Sequence, residues 1–323
     1  MMGLPKTNGW LHRCGCDAVR HHNNENGSPL ELNTDIVTGP PRPAATVIML
    51  RDGEGSDTSL EVFLIRRHIK SNVLGGAFVF PGGKVDALDA TLDMAAHIDQ
   101  PLADLHAALN EPDIDESTAA GLYIAAVREV FEESGILFAE NATHEHATRA
   151  SAMLSEGKAF AAVLANMKLR LQTISLAPWS RWITPPMPSV MNKRFDTRFF
   201  VAAAPAGQVA SHDNFEATES VWLKPRAALE QHRDGLIEMA PPQIMTLAHL
   251  SRFASVQAAM AFAVSRKPPV ILPQPFELDG TRVICYPGDE RHDVKVRAMP
   301  GPTRLRYRNK LFEPLDGFEA LFE

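Results

Sequence analysis

The chain has 323 residues, a formal net charge of −7, 45% hydrophobic and 22% charged residues. That balance suits one large folded domain or two small ones. An acidic chain gains little from phosphate backbones, which argues against a nucleic-acid partner, and no apolar run is long enough to span a membrane.

Residues 1–41 read as a disordered polar tail centred on His21-His22-Asn23-Asn24. Cys14 and Cys16, with His12, His21 and His22, do not follow the usual zinc-finger spacings, so the tail reading prevails over a metal site. With Cys285 they make three cysteines, no disulfide framework, and a reducing cytoplasm is the expected setting. A homodimer is compatible with the sequence. Ala45 to Leu50 and Leu60 to Arg66 form two strands joined by the turn Asp52-Gly53-Glu54-Gly55. Pro81-Gly82-Gly83 breaks the chain into a loop. The acidic stretch that follows carries Leu102, Leu105 and Leu109 at helical spacing and reads as a helical excursion. Ser117 is the expected N-cap of the next helix.

That helix holds the most telling segment, Arg128-Glu129-Val130-Phe131-Glu132-Glu133-Ser134-Gly135-Ile136. Glu129, Glu132 and Glu133, at i, i+3 and i+4, share a face within side-chain reach. Clustered carboxylates repel unless a cation sits among them, and hard cations prefer oxygen ligands. Ile124, Val127 and Phe131 line the opposite face at core spacing, and Gly135 supplies the stop. Further on, Ser151 to Ala165 reads as a helix, Arg181 to Thr184, Thr197 to Ala203 and Glu219 to Leu223 as strands. Lys224-Pro225 opens a helix, and Gln243 to Val264 reads as one long helical stretch. The order fits an α/β/α sandwich with a mixed sheet, followed from 267 by a β-rich extension.

Alone, an E-x-x-E-E helix is a solvated charged face. The arginine before it, the glycine after it and the upstream loop Phe80-Pro81-Gly82-Gly83-Lys84-Val85-Asp86 tip the balance. Together they resemble the Nudix hydrolase signature, whose second half reads R-E-U-x-E-E-x-G-U with U aliphatic. Ala120 stands where the family has an acid eight residues before the arginine. Counting forward from Gly83 instead reaches Asp89. The signature is therefore split by an insert at about 90–116, as in the branch that resembles peroxisomal coenzyme A diphosphatases. Trimming that insert is expected to leave the fold intact. The resemblance covers roughly residues 42–235, and the expected division is a Nudix domain at 42–266 with a packed extension at 267–323. It implies metal-dependent hydrolysis of a small nucleoside diphosphate derivative, with Mg²⁺ or Mn²⁺ held by Glu129, Glu132, Glu133 and the Gly83 carbonyl. Arg128 would orient the cluster, Glu132 and Glu133 would serve catalysis, and Glu216 would act as base or extra ligand. Arg66, Arg67, Phe80 and Gly82 would meet the substrate. Coenzyme A or acyl-CoA is the first expectation, although Asn72 stands where the coenzyme A motif has a second arginine. ADP-ribose, a dinucleotide, or a catalytically silent nucleotide-binding module are the alternatives.

Overall fold

A computed structural model describes residues 32–53, 59–71, 73–89, 93–190, 192–212 and 217–323. Strand β1 (Arg42–Asp52) lies inside a mixed sheet and is buried on both faces. Its side chains alternate as a strand must: Ala45, Val47 and Met49 enter one hydrophobic core, Ile48 and Leu50 the other. Each such buried Val, Ile or Leu stabilises by about 1.5–3 kcal/mol. Antiparallel to β1 runs β2 (Leu60–Arg67), which also pairs with β3 (Phe78–Val79). The short β4 (Gly82–Lys84) also pairs with β1, bringing the glycine loop to the sheet.

After the loop come α1 (Met94–His97), α2 (Leu102–Leu109) and the long α3 (Glu116–Ser134). The N-cap of α3 is Asp115, not Ser117: the Asp115 carboxylate accepts from the Thr118 N–H at 2.6 Å, so the helix starts earlier. Gly135 ends α3 in the left-handed conformation at φ 69°, as a C-terminal stop requires. Two helices, α4 (His144–Ser155) and α5 (Phe160–Met167), replace the single helix expected at 151–165, because Gly157 turns the chain at φ 82°. These helices cover one face of the sheet.

Strands β5 (Ala177–Ile183) and β6 (Phe195–Ala203) complete the middle of the sheet, with β6 parallel to β1 from Arg42↔Phe195 to Leu50↔Ala203. Strand β7 (Ala217–Leu223) pairs with β2. Beyond it lie α6 (Pro225–Arg233), α7 (Pro241–Leu250) and α8 (Val256–Val264). The stretch expected as one helix at 243–264 is interrupted at 251–255, where the Ser255 hydroxyl caps α8 by accepting from the Ala258 N–H. Next, β8 (Val270–Ile271) joins the main sheet beside β5. Strands β9 (Gln274–Leu278), β10 (Thr281–Cys285), β11 (Arg304–Arg308) and β12 (Leu311–Pro314) form a second, antiparallel sheet. Ile284, Leu305, Phe312 and Leu321 share the core of Ile48 and Leu50. The architecture is the expected α/β sandwich.

The insert is docked, which overturns the expectation that it can be trimmed. Leu105 and Leu109 are buried in the core of α3. Glu111, 6% exposed, pairs with Arg198 on β6 and with Arg181 on β5 at 2.9 Å. Removing it would expose two leucines and leave the buried Arg198 guanidinium short of a partner. At the other end, residues 32–41 approach β1 with the Asn33 N–H bonded to the Ser189 carbonyl and the Val37 N–H to the Pro186 carbonyl. The rest of the expected tail, with Cys14 and Cys16, lies outside the described residues. No helix among the described residues is long and apolar enough to cross a membrane.

Candidate active site

One guanidinium organises the acidic face of α3. Arg128 is 7% exposed, and a buried guanidinium must place all five N–H donors. Its Nε and Nη2 donate to the two oxygens of Asp89, each at 2.9 Å. Nη2 also donates to the Lys84 carbonyl at 3.0 Å, and Nη1 to Glu129 at 2.9 Å and Glu132 at 3.0 Å. Burial works against the Arg128 charge, but the Asp89 hydrogen bonds and the charges of Glu129, Asp89 and Glu132 outweigh it and raise its pKa. Asp89, the acid reached by counting from Gly83, is thus the bidentate partner that joins the glycine loop to α3.

The glycine loop meets the same helix face. The Gly82 N–H donates to Glu133 Oε2 at 2.7 Å, and Arg67 approaches Glu133 Oε1 at 3.6 Å. Gly83 lies against Glu129: a Cβ there would stand 2.5 Å from Glu129 Cδ and 2.6 Å from Oε1. Glu132 is the most open of the three glutamates. Burial raises its pKa above the ordinary carboxylate value, and the neighbouring Arg128 charge only partly offsets this.

Among the described residues no three acidic, histidine or cysteine side chains form a ready-made metal cage. The reason is visible in the contacts: Glu129 and Glu132 turn toward Arg128, and Glu133 toward Gly82 and Arg67. The donor set nevertheless fits a hard divalent cation. It consists of carboxylate and carbonyl oxygens alone, and the missing Cβ of Gly83 lets the loop backbone reach the carboxylates.

A cavity of about 430 Å³ opens over this cluster, floored by Gly82, Gly83, Glu129 and Glu132 and flanked by Arg67. Its far wall is apolar: Phe80, Trp182, Phe195 and Phe199, with Ala240 and Pro242 at the start of α7. Set in that wall is Gln243, 7% exposed, whose Oε1 has no hydrogen-bond partner among the described residues. Arg66 stands apart from the cavity lining, donating to the Gly76 carbonyl and 3.7 Å from Glu219. Glu216 and Asn72 lie outside the described residues. Sequence reasoning read Arg181 to Thr184 and Thr197 to Ala203 only as strands and gave Trp182, Phe195 and Phe199 no role in a site. Gln243 carried no local signal, because its place in the cavity depends on tertiary contacts that bring α7 beside residues of β1, β5 and β6.

The chain matches the family model described as the NUDT19 Nudix domain over residues 41–250. A curated relative from Xenopus laevis, acyl-coenzyme A diphosphatase NUDT19, is 29% identical over 248 residues, covering 66% of this chain and 65% of the relative. The match therefore spans just under two thirds of that protein's length. The Homo sapiens protein of the same name is 26% identical over 272 residues, 71% of each chain. Among solved structures, a NUDIX hydrolase from Alicyclobacillus acidocaldarius superposes with a TM-score of 0.56 at 26% identity, over 71% of this chain and 97% of that one.

Proposed function

Given that the chain belongs to the NUDT19 Nudix domain family, we propose that it is a metal-dependent diphosphatase of coenzyme A and its acyl thioesters. The observation that carries this reading is the cavity itself, which joins a carboxylate floor to an aromatic wall holding Gln243, whose Oε1 has no hydrogen-bond partner among the described residues. A nucleoside diphosphate has the same division, an anionic centre beside a flat heterocycle. In this reading Glu129, Glu132, Glu133 and the glycine-loop backbone hold a divalent cation. When bound, that cation supplies charge neutralisation and Lewis acidity at the diphosphate. Arg128 fixes Glu129 and Glu132 through its Asp89 anchor. Arg67, already on Glu133, is a cationic side chain of the cavity lining placed to meet a phosphate oxygen. Glu216, just before β7, serves as the base. Trp182, Phe195 and Phe199 offer the substrate's adenine a stacking surface, and Gln243 offers its edge an amide that can donate and accept. The names of the frog and human relatives support the choice of substrate.

Product analysis with Mg²⁺ or Mn²⁺ tests the reading. Coenzyme A should yield 4′-phosphopantetheine and adenosine 3′,5′-bisphosphate, with no turnover in chelator. A wild-type preference for ADP-ribose over coenzyme A would refute the substrate while leaving the diphosphate chemistry. Gln243→Leu should weaken coenzyme A binding through KM.

A further inference from the structure

The carboxylate cluster borders not one cavity but two. The second, of about 590 Å³, shares Asp86, Arg128 and Glu132 with the first and otherwise has a different lining. It is lined by Leu88, Ile124, Leu154, Phe160, Ala161 and Ala162, from the loop after β4 and from α3, α4 and α5. We infer that this second cavity holds the pantetheine arm of the substrate while the first holds its adenosine, an inference that rests on the function proposed above.

Any diphosphate diester has two arms leaving the phosphates in different directions. The first cavity carries the aromatic wall and the unsatisfied Oε1 of Gln243, the chemistry of a nucleobase site. With adenosine there and the diphosphate at Glu129 and Glu132, the other arm leaves across the Asp86–Glu132 edge. What it meets is a mostly apolar surface. Leu88 is 63% exposed at the edge of this cavity, an apolar side chain that gains by being covered. Pantetheine begins with a methylene and a quaternary carbon bearing two methyl groups, so its most apolar portion follows the phosphate directly. The amides beyond need donors and acceptors. The first turn of α5, whose N-cap Ala159 makes no side-chain cap, contributes residues 160–162 to the lining and has backbone N–H groups to offer. A ribose arm would set its hydroxyl groups against Leu88, Ile124, Leu154 and Phe160, while the lining acids Asp86, Asp89 and Glu132 are already engaged by Arg128. Lys158 is in the lining, and it sits 3.1 Å from Glu156. The second cavity would therefore select coenzyme A over ADP-ribose.

The test compares 3′-dephospho-coenzyme A with ADP-ribose, which share adenosine diphosphate and differ in the second arm. Ala162→Leu fills the cavity and should lower kcat/KM for dephospho-coenzyme A at least tenfold relative to ADP-ribose, mostly through KM; tenfold is about 1.4 kcal/mol. Leu88→Gln, at a position too exposed to matter for folding, should shift the same ratio in the same direction by a smaller factor. Calorimetry with 4′-phosphopantetheine should show weaker binding to both variants than to wild type. If both variants keep the wild-type ratio within twofold, the arm lies elsewhere and the inference falls while the proposed function stands. If the wild type hydrolyses ADP-ribose but neither coenzyme A nor its dephospho form, both fall.

Discussion

Replacing Gly83 by alanine separates folding from catalysis more cleanly than any change to the glutamates. The added methyl would stand 2.5 Å from Glu129 Cδ and 2.6 Å from Oε1, where ordinary contact begins at 3.4 Å. The carboxylate must therefore retreat by roughly 1 Å. What yields is the end of a flexible side chain, so the stability cost should be small. Glu129 is also one of the two glutamates that Arg128 holds through Nη1, so its retreat disturbs the Arg128–Glu132 contact. A misplacement of this size in a catalytic constellation costs about 10²-fold in rate. Gly82→Ala is the contrasting variant. Its methyl would lie 2.5 Å from the Ala45 carbonyl oxygen and 2.6 Å from Thr46 Cα, both backbone atoms of β1 that cannot move aside. The expected result is a Gly83→Ala protein with wild-type melting temperature and about a hundredth of the metal-dependent turnover, and a Gly82→Ala protein that folds poorly. Full activity in Gly83→Ala, or a collapse of its melting temperature, would refute the reasoning.

Glu132→Gln removes a carboxylate that burial already makes costly to ionise, so thermal stability should hold. Turnover should fall by more than the roughly 10–100-fold typical of losing a supporting group around a metal. Glu111→Ala leaves Arg198 with Asp196 as its remaining ion-pair partner and should cost about 3 kcal/mol, read as a lower urea midpoint. His249 packs on Trp179 at 4.7 Å, and burial, aided by Arg266 and Arg252, depresses its pKa from 6.5 to about 3. Below pH 6.5 the unfolded chain takes up the proton that the fold refuses. Stability from His249 is thus present above pH 6.5 and is lost as pH falls toward 3, by up to about 1.4 kcal/mol per unit. His249→Phe should flatten the fall in melting temperature between pH 6.5 and 5; an unchanged slope would contradict the assignment.

The acidic helix was legible because its chemistry is local: three glutamates and their stop fall within seven residues. Asp89 was legible only by counting from Gly83, and nothing in the sequence showed that its two oxygens accept from Nε and Nη2 of Arg128. The α3 start was misplaced because Ser117 and Asp115 are both good caps, and which one bonds depends on where the insert releases the chain. The insert looked removable because its acids dominate the composition. Its contribution comes from Leu105, Leu109 and Glu111, whose partners lie on other elements. Of the aromatic wall only Phe80 was legible, through its place in the glycine-loop motif; Trp182, Phe195, Phe199 and Gln243 were invisible for the same reason. They meet the glycine loop only after β5, β6 and α7 have assembled on the sheet.

The parallel pairing of β1 with β6 sets a condition on biosynthesis. Residues 42–50 find their neighbour only at 195–203, so a ribosome must make more than 150 further residues before the centre of the sheet can close. Until then the run Ala44-Ala45-Thr46-Val47-Ile48-Met49-Leu50 has one unsatisfied edge and the makings of intermolecular strand addition. A nascent chain that stalls before Ala203 would present that edge to its neighbours. The vulnerable species in the life of this protein is therefore its unfinished N-terminal half, long before any active site exists.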